Sequence, residues 1–309
     1  MKERIEYLLF LMLHRLARVV SFGVATRAGA ALSGGVFSLT RIRKKVTLDN
    51  LRHAFPAKSG RELVQIARGA YRTYGIAITQ MLWAGSASAD ELKSKVNIGD
   101  TGLVERALAR GKGLILMSAH FGCWEFLVSS VRLHLGKPLL MIVQTQRNRR
   151  INALVDHLRS RFDNQTVPMG PSVRQILRAL QDGKMVLMLG DQSGSRESVF
   201  IEFFGRPAAT HRGPAAFSLR TDAPIVMILL VRRHDGTYDA LFEEVDRSGL
   251  TGPSEENIVE LTRRHTALLE KYIRRYPDHW LWMHKRWKHT TFFEERHAGT
   301  ESSHQGTPG

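Results

Sequence analysis

Residues 113–136 read GLILMSAHFGCWEFLVSSVRLHLG, and this stretch decides the predicted fold. It begins with a nearly continuous apolar run, turns at a glycine and continues into an amphipathic segment. Apolar runs that do not alternate with polar residues are typical of strands buried on both faces of a sheet. Three further runs have this character, at 138–144, 185–191 and 224–231. The sequence therefore predicts at least four buried strands.

Amphipathic stretches separate these runs and predict helices, at 101–111, 125–136, 152–162 and 172–184. Alternating strands and helices favour an α/β fold, with a largely parallel or mixed sheet covered by helices. Residues 1–90 have helical periodicity, 238–245 alternate like an edge strand, and 255–275 predict a last long helix.

Composition narrows the class of protein. The chain has 309 residues, of which 43% are apolar, enough for a buried core and against intrinsic disorder. Lysine and arginine number 45 against 29 acidic residues, a net charge of +16 that points to an anionic partner. A single cysteine, Cys123, excludes an intramolecular disulfide and a cysteine-rich zinc site.

The N-terminus, MKERIEYLLFLMLHRLARVVSF (1–22), is apolar but interrupted by His14, Arg15 and Arg18. A spanning helix needs about 20 mostly apolar residues, whereas an apolar face with interspersed arginine fits a helix lying in the membrane interface. The basic run RIRKK (41–45) suits a neighbouring anionic leaflet. The alternative is an ordinary amphipathic core helix. We predict a membrane-associating segment at 1–45, an α/β domain at 46–295 and a disordered tail at 296–309.

A histidine five residues before a carboxylate occurs four times, and only His120 with Glu125 has a suitable context. The other pairs lie across a predicted hairpin, within a predicted helix or near the end of the chain: His234 and Asp239, His265 and Glu270, His289 and Glu294. His120 directly follows a buried strand, where reactive side chains of α/β sheets emerge.

We predict that Glu125, in the first turn of the following helix, orients the His120 ring and stabilises its protonated form. Such a pair has no nucleophile of its own, so a substrate hydroxyl would supply it and attack an activated acyl group. A structural histidine that caps the helix is the alternative. Cys123 is a rival nucleophile, but its place in the same short turn favours a small buried side chain.

Four blocks of sequence together match the pattern of a known family: DNLRHAFP (49–56), SAHFGCWE (118–125), GDQSG (190–194) with VFIEFFGRPAAT (199–210), and YPDHWLWMHKRWK (276–288). In this order they resemble the late acyltransferases of lipid A biosynthesis, which add lauroyl or myristoyl chains. That family is related to phosphatidylinositol mannoside acyltransferases and, more distantly, to glycerolipid acyltransferases. The resemblance covers about residues 5–290. The segment TQRNRR (145–150) departs from the family pattern and retains Asn148.

The resemblance implies a glycerolipid-acyltransferase-like mixed sheet flanked by helices, with an apolar acyl groove and a basic face towards the cytoplasmic side of a bacterial inner membrane. It implies His120 as general base and Glu125 as its partner. Lower-ranked substrate-binding or oxyanion residues are Arg159, Arg161, Asp191 and Gly122. Acyl carrier protein or coenzyme A would carry the acyl chain, a glycolipid would accept it, and no metal or cofactor is expected.

Several features allow two interpretations from sequence. Backbone N–H groups near Phe121 and Gly122, or Arg159, are alternative oxyanion donors, and Arg159 could equally bind a lipid phosphate. The start of THRGPAAFSLR (210–220) predicts a helix N-terminus, which would either bind a phosphate or only cap the helix. Basic clusters at 1–50 and 271–290 suit an anionic leaflet and an acidic carrier protein, or plain solvation.

Three tryptophans, Trp280, Trp282 and Trp287, suit core packing or an interfacial anchor. The histidines beside them lack metal-ligand spacing. A lysophospholipid or phosphatidylinositol mannoside acyltransferase is the alternative enzyme. A nucleic-acid-binding protein is the alternative of another class, motivated by the pI near 10.4, although no nucleic-acid-binding module is recognisable and nucleic acid is not the expected partner.

Overall fold

The computed structural model describes residues 2–294, and a seven-stranded sheet lies at its centre. The four apolar runs form strands, as predicted, at Leu114–Ser118, Leu139–Val143, Met185–Leu189 and Ile225–Arg232, and helices cover both faces of the sheet. The predicted α/β class with a mixed sheet is therefore confirmed. The predicted disordered tail, 296–309, lies outside the described residues.

The bounds of the elements are as follows. The helices are α1 (Lys2–Ala17), α2 (Phe22–Leu39), α3 (Lys44–Ala54), α4 (Gly60–Ala84), α5 (Ala89–Lys93), α6 (Gly102–Ala109), α7 (Trp124–Leu135), α8 (Arg149–Arg159), α9 (Val173–Gln181), α10 (Gly213–Thr221) and α11 (Glu255–Arg275). The strands are β1 (Val96–Asn97), β2 (Leu114–Ser118), β3 (Leu139–Val143), β4 (Gln165–Pro168), β5 (Met185–Leu189), β6 (Val199–Phe203), β7 (Arg206–Thr210), β8 (Ile225–Arg232) and β9 (Tyr238–Glu244).

The central strand β2 has apolar side chains at all of its first four positions, 114–117. Ile115 and Met117 enter the core on one face of the sheet, and Leu114 and Leu116 enter the core on the other. Because successive side chains of a strand point to opposite faces, a strand covered on both sides needs apolar residues at every position. Burial on both faces therefore explains why the sequence of β2 does not alternate between apolar and polar residues, as the sequence of a half-exposed strand does.

The strand order is β1-β9-β8-β2-β5-β3-β4, and a separate antiparallel hairpin joins β6 and β7. Strands β8, β2, β5, β3 and β4 run parallel, whereas β9 runs antiparallel to β8. The prediction of an edge strand at 238–245 was wrong in one respect. The two-residue strand β1 pairs with the outer side of β9, so β9 is second from the edge.

The N-terminal helices meet the body of the protein along α4. Helix α2 crosses α4 at Gly29 and Gly75, where a Cβ atom on either glycine would lie 2.5 Å from the carbonyl oxygen of the other. Ser33, one turn along α2, would also be 2.6 Å from a Cβ at position 75. Glycine is therefore required at this crossing because the two backbones touch. Within residues 2–294, no helix is long and apolar enough to cross a membrane.

Two glycines of α2 give a matched test of this crossing. Gly29→Ala places its new methyl group against Thr79 and the Gly75 carbonyl, so we expect it to lower the free energy of unfolding by about 1–3 kcal/mol. Gly34→Ala, on the same helix with no heavy atom within 4 Å, should be neutral or stabilising by up to about 1 kcal/mol. Denaturant unfolding measures both. Equal effects of the two variants would contradict the close crossing.

Candidate active site

The register between two central strands brings a histidine and an aspartate together. Strands β2 and β5 are parallel, and Ser118 lies opposite Leu189. His120 and Asp191 each follow two residues later, so both emerge at the carboxyl end of the sheet. This end is where α/β sheets place their reactive side chains.

The Asp191 carboxylate accepts three hydrogen bonds. Its Oδ1 is 2.9 Å from Nδ1 of the His120 ring, and its Oδ2 accepts the His120 backbone N–H at 3.0 Å and the Trp280 indole N–H at 2.9 Å. The Asp191 side chain is 2% exposed and the His120 side chain 23%. The carboxylate is thus enclosed, while the histidine ring keeps an open side.

The two groups shift each other's pKa. Burial alone lowers the pKa of His120, but the charge of Asp191, its hydrogen bond and the charge of Glu125 together outweigh burial and hold that pKa above its usual value. Burial alone raises the pKa of Asp191, but the facing ring and the three hydrogen bonds hold it below the usual value. Asp191 is therefore an ionised acceptor, and His120 must carry a proton on Nδ1. When the ring is neutral, Nε2 has the lone pair.

The predicted contact between Glu125 and the His120 ring was wrong. Glu125 forms a bidentate ion pair with Arg159, at 3.0 Å from Nε and 2.5 Å from a terminal nitrogen, and it also accepts the Trp124 indole N–H at 3.1 Å. Both partners are mostly buried. Glu125 therefore acts on His120 only through its charge, and Asp191 takes the orienting place that the sequence assigned to Glu125.

Two of the lower-ranked substrate-binding residues also have other roles. Arg161 donates to the backbone carbonyls of Ala84 and Ala87, which fixes the end of α4 rather than lining the site. Asp191 cannot donate to an oxyanion because it is an ionised acceptor. Arg159 does lie at the site, next to Glu125.

Gly122 was predicted to offer a backbone N–H to an oxyanion, and this was wrong because that N–H already donates to the His279 carbonyl at 2.9 Å. The φ of Gly122 is +56°, and a Cβ there would collide with the Leu230 carbonyl oxygen. This glycine is needed for the tight turn after β2. The Phe121 N–H likewise donates to the Ala119 carbonyl.

Cys123 and the other histidine–carboxylate pairs are not part of this site. Cys123 is fully buried, and burial raises the pKa of its thiol to about 12, so it is not a ready nucleophile. His265 is buried in the core on α11, where burial lowers its pKa to about 3. Across residues 2–294, no three His, Cys, Asp or Glu side chains are grouped so that they could hold a metal ion.

The closing segment, residues 276–288, returns to the site. The backbone of Trp280 forms a β-bridge with Phe121, and the Leu281 N–H donates to the His120 carbonyl at 3.1 Å. Trp280, Trp282 and Trp287 are all buried, which assigns the three tryptophans to the core. Arg286 of the basic cluster at 271–290 is also buried and donates to Ala209 and Thr210.

A cavity of about 610 Å³ opens beside the His120 ring. Polar side chains around it include His120, Glu125, Arg159, Gln192, His211, His284 and Lys288. Apolar side chains of β3, β5, α7, α9 and α10 complete it: Val128, Met141, Ile142, Val143, Val173, Ile176, Met188, Leu189 and Phe217. Such a site can hold a long apolar group next to a base. Helix α10 begins at the cavity with Gly213, but Arg212 pairs with Glu255 rather than with the site.

Sequence reasoning missed Asp191 as the partner of His120 and gave Gln192 no role. Gln192 lies 3.3 Å from Nε2 of His120, between Asp191 and Ser193. The adjacent Asp-Gln dipeptide after a buried strand was the available signal, but the pairing of β2 with β5 was needed to connect it with His120.

Comparison with known proteins identifies the relatives of this chain. A family model described as bacterial lipid A biosynthesis acyltransferase matches residues 2–289. The lipid A biosynthesis palmitoleoyltransferase of Escherichia coli K12 is 24% identical over 248 residues, 80% of this chain and 79% of the relative. The lauroyltransferase of the same organism is 23% identical over 276 residues, 86% of each chain.

A phosphatidylinositol mannoside acyltransferase of Mycolicibacterium smegmatis is 20% identical over 200 residues, 63% of this chain and 64% of that protein. The family model spans nearly the whole chain and includes all four blocks that suggested the resemblance. The chain is therefore an O-acyltransferase and belongs to the bacterial lipid A biosynthesis acyltransferase family.

Proposed function

We propose that this enzyme transfers a fatty acyl chain from an acyl thioester to a hydroxyl group of a lipid A precursor, with His120 as general base. The observation that carries the proposal is the His120–Asp191 pair, whose second ring nitrogen, Nε2, lies beside a cavity with extensive apolar walls. An apolar cavity suits the acyl chain, and a fixed imidazole suits removal of a proton from an alcohol.

The reaction runs through a tetrahedral intermediate. The acceptor hydroxyl gives its proton to Nε2 of His120 while its oxygen bonds to the thioester carbonyl carbon, whose π electrons move to the carbonyl oxygen. When those electrons return, the carbon–sulfur bond breaks. The leaving thiolate takes the proton from Nε2, which restores neutral His120. Asp191 keeps the Nδ1–H tautomer and stabilises the ring while it is protonated.

The Glu125–Arg159 pair supports this site in another way. Arg159 has five N–H groups, and two of them donate hydrogen bonds to Glu125. The remaining donors belong to a side chain that lines the cavity, so they are available to a polar group of the substrate. Glu125 holds the guanidinium in place and adds negative charge near His120.

The acceptor class comes from the relatives. Those with the greater coverage are named as lipid A acyltransferases, and one with lower coverage acts, by its name, on phosphatidylinositol mannoside. A lipid A precursor is therefore the first choice and a phosphatidylinositol mannoside the second. Acyl carrier protein or coenzyme A would present the thioester, and exposed basic residues near α1 and α3 suit an acidic carrier.

The N-terminal helix α1 supports the proposal that the enzyme associates with the cytoplasmic side of the inner membrane. Five side chains along one side of α1 are each about half exposed: Ile5, Leu8, Leu9, Met12 and Leu16. Their spacing places them on one face of the helix, with the exposed Arg15 and Arg18 beside them. This arrangement supports a helix that lies in the interface of an anionic leaflet.

The function is tested with purified protein and a matrix of substrates. Lauroyl, myristoyl and palmitoleoyl thioesters of acyl carrier protein and of coenzyme A are each combined with a lipid A precursor, a phosphatidylinositol mannoside or a lysophospholipid. We expect mass spectrometry to show one added acyl chain on the lipid A precursor. Transfer only to another acceptor would contradict the proposed acceptor, and no transfer to any would contradict the proposed donor chemistry.

The His120–Asp191 pair predicts a specific pH dependence. Because the pKa of His120 is raised, kcat/KM of the native enzyme should fall as the pH drops through a value above the usual 6.5 of an imidazole. Asp191→Asn removes the charge that raises this pKa, so the acid limb should move to lower pH. Loss of the correct tautomer should reduce kcat by about 10²–10⁴-fold. His120→Ala should be at least as inactive.

Glu125→Gln is the matched comparison for Asp191→Asn, because each changes one carboxylate near His120 to an amide. Breaking the pair with Arg159 should lower the free energy of unfolding by about 3 kcal/mol. The acid limb should move less than in Asp191→Asn, since Glu125 does not touch the ring. A larger shift in the Glu125 variant would contradict the assignment of Asp191 as the orienting group.

The exposed face of α1 predicts binding to lipid vesicles. Changing Leu8, Leu9 and Met12 to Ser should weaken binding to anionic phospholipid vesicles at least tenfold, since each buried apolar side chain contributes about 1.5–3 kcal/mol. Vesicle flotation measures the binding, and thermal unfolding confirms that the variant folds. Unchanged flotation of a folded variant would contradict the interfacial role of α1.

A further inference from the structure

The side chain of Gln192 lies against the ring nitrogen that the mechanism uses. The Gln192 amide nitrogen is 3.3 Å from Nε2 of His120, and Gln192 also lines the cavity. It belongs to the segment that follows β5, directly after the aspartate that holds the opposite side of the same ring. Two neighbouring residues therefore contact the two nitrogens of one imidazole.

The backbone around Gln192 is fixed on both sides. The Gly190 N–H donates to the Ser118 carbonyl at 3.3 Å, and the Ser193 N–H donates to Nε2 of His284 at 3.0 Å. The next N–H, of Gly194, donates to the Ala209 carbonyl. The position of the glutamine backbone is thus set by three other segments, and its side chain lines the cavity.

The protonation of the His120 ring decides which group donates the hydrogen bond between Gln192 and Nε2. Asp191 is ionised and accepts from Nδ1, so Nε2 of the neutral ring has a lone pair and no hydrogen. The amide nitrogen of Gln192 must then be the donor. In the resting site, this N–H donates to the lone pair of Nε2, which is the atom that must accept the proton of the substrate hydroxyl.

The two backbone donors that the sequence suggested for an oxyanion are already committed. The N–H groups of Phe121 and Gly122 donate to protein carbonyls, whereas Arg159 gives Glu125 two of its five N–H groups. The Gln192 amide becomes free when a hydroxyl replaces it at Nε2. Its N–H groups then have no acceptor among the described residues and lie beside the base that the mechanism uses.

Resting on the acyl transfer proposed above, we propose that Gln192 is a further catalytic residue that first occupies Nε2 of His120 and then donates to the thioester carbonyl oxygen. The acceptor hydroxyl displaces the amide and hydrogen-bonds to Nε2. As the new carbon–oxygen bond forms and the hydroxyl proton moves to Nε2, the carbonyl π electrons become a lone pair on oxygen, and the amide N–H donates to this oxyanion. When the carbon–sulfur bond breaks, the charge leaves with the thiolate, which takes the proton from Nε2.

The test begins with Gln192→Met, which keeps the approximate shape of the side chain and removes both N–H donors. Loss of an oxyanion donor should reduce kcat by roughly 10²-fold or more, with KM for the acceptor changed much less. The matched control is Gln175→Met on the exposed side of α9, which should retain wild-type kcat. A second variant, Gln192→Glu, is nearly isosteric with glutamine, so a merely structural role predicts that it keeps activity, whereas the proposal predicts its loss at neutral pH.

The second readout is the pKa of His120, followed by ¹⁵N NMR of histidine-labelled enzyme and assigned with His120→Asn. The Gln192 amide stabilises the neutral ring, so Gln192→Met should raise this pKa by about half a unit to one unit. Asp191, Glu125, Arg159 and His284 also act on the ring electrostatically and are unchanged in the variant. Gln192→Glu should raise the pKa further, because a carboxylate stabilises the protonated ring.

The outcomes separate this proposal from the proposed function. A reduced kcat with a raised pKa supports both roles of Gln192. A raised pKa with unchanged kcat overturns the oxyanion role, and a reduced kcat with unchanged pKa overturns the resting contact. If wild-type enzyme transfers no acyl chain from a thioester, the proposed function fails, and the catalytic role of Gln192 falls with it. The NMR titration then still reports independently whether the amide contacts Nε2.

Discussion

One buried carboxylate, that of Asp191, holds the site together. It accepts hydrogen bonds from the ring and the backbone of His120 and from the indole of Trp280. Asp191 itself follows β5, and its donors come from the end of β2 and from the closing segment, 276–288. A charged group this deep is tolerable only when it is fully hydrogen-bonded and faces a group that can become positive. The same bonds that satisfy Asp191 therefore fix the tautomer and position of His120.

The closing segment explains why residues far from the strand–turn–helix matter to it. Trp280 pairs with Phe121, and hydrogen bonds join Gly122 to His279 and Leu281 to His120, so the turn after β2 is held like a strand in a sheet. The tryptophans of this segment pack in the core and not against a membrane. The segment that fixes the turn carrying His120 thus also supplies His284 and Lys288 to the cavity.

The sequence predicted the sheet because its strands are buried on both faces, which forces apolar residues at every position of 114–117 and of 185–188. It placed His120 at the site because that residue follows such a strand. The sequence did not predict the contacts that depend on residues far apart in the chain. The partner of His120 depends on the register of β2 with β5, and the choice between Glu125 and Asp191 depends on Arg159, which takes Glu125. Short strands such as β1 and β4 have too few residues for a periodic pattern of apolar side chains, so the sequence did not predict them.

The proposed mechanism requires an acyl thioester to lie in the apolar cavity with its carbonyl carbon beside Nε2 of His120. A crystal structure of the enzyme with both a non-hydrolysable acyl-thioester analogue and an acceptor glycolipid measures this position. We expect the alkyl chain between the side chains of β3, α7 and α9. The acceptor oxygen should hydrogen-bond to Nε2 and lie about 3–3.5 Å from the carbonyl carbon. A chain bound elsewhere on the protein, with the His120 ring closed off from it, would contradict this mechanism.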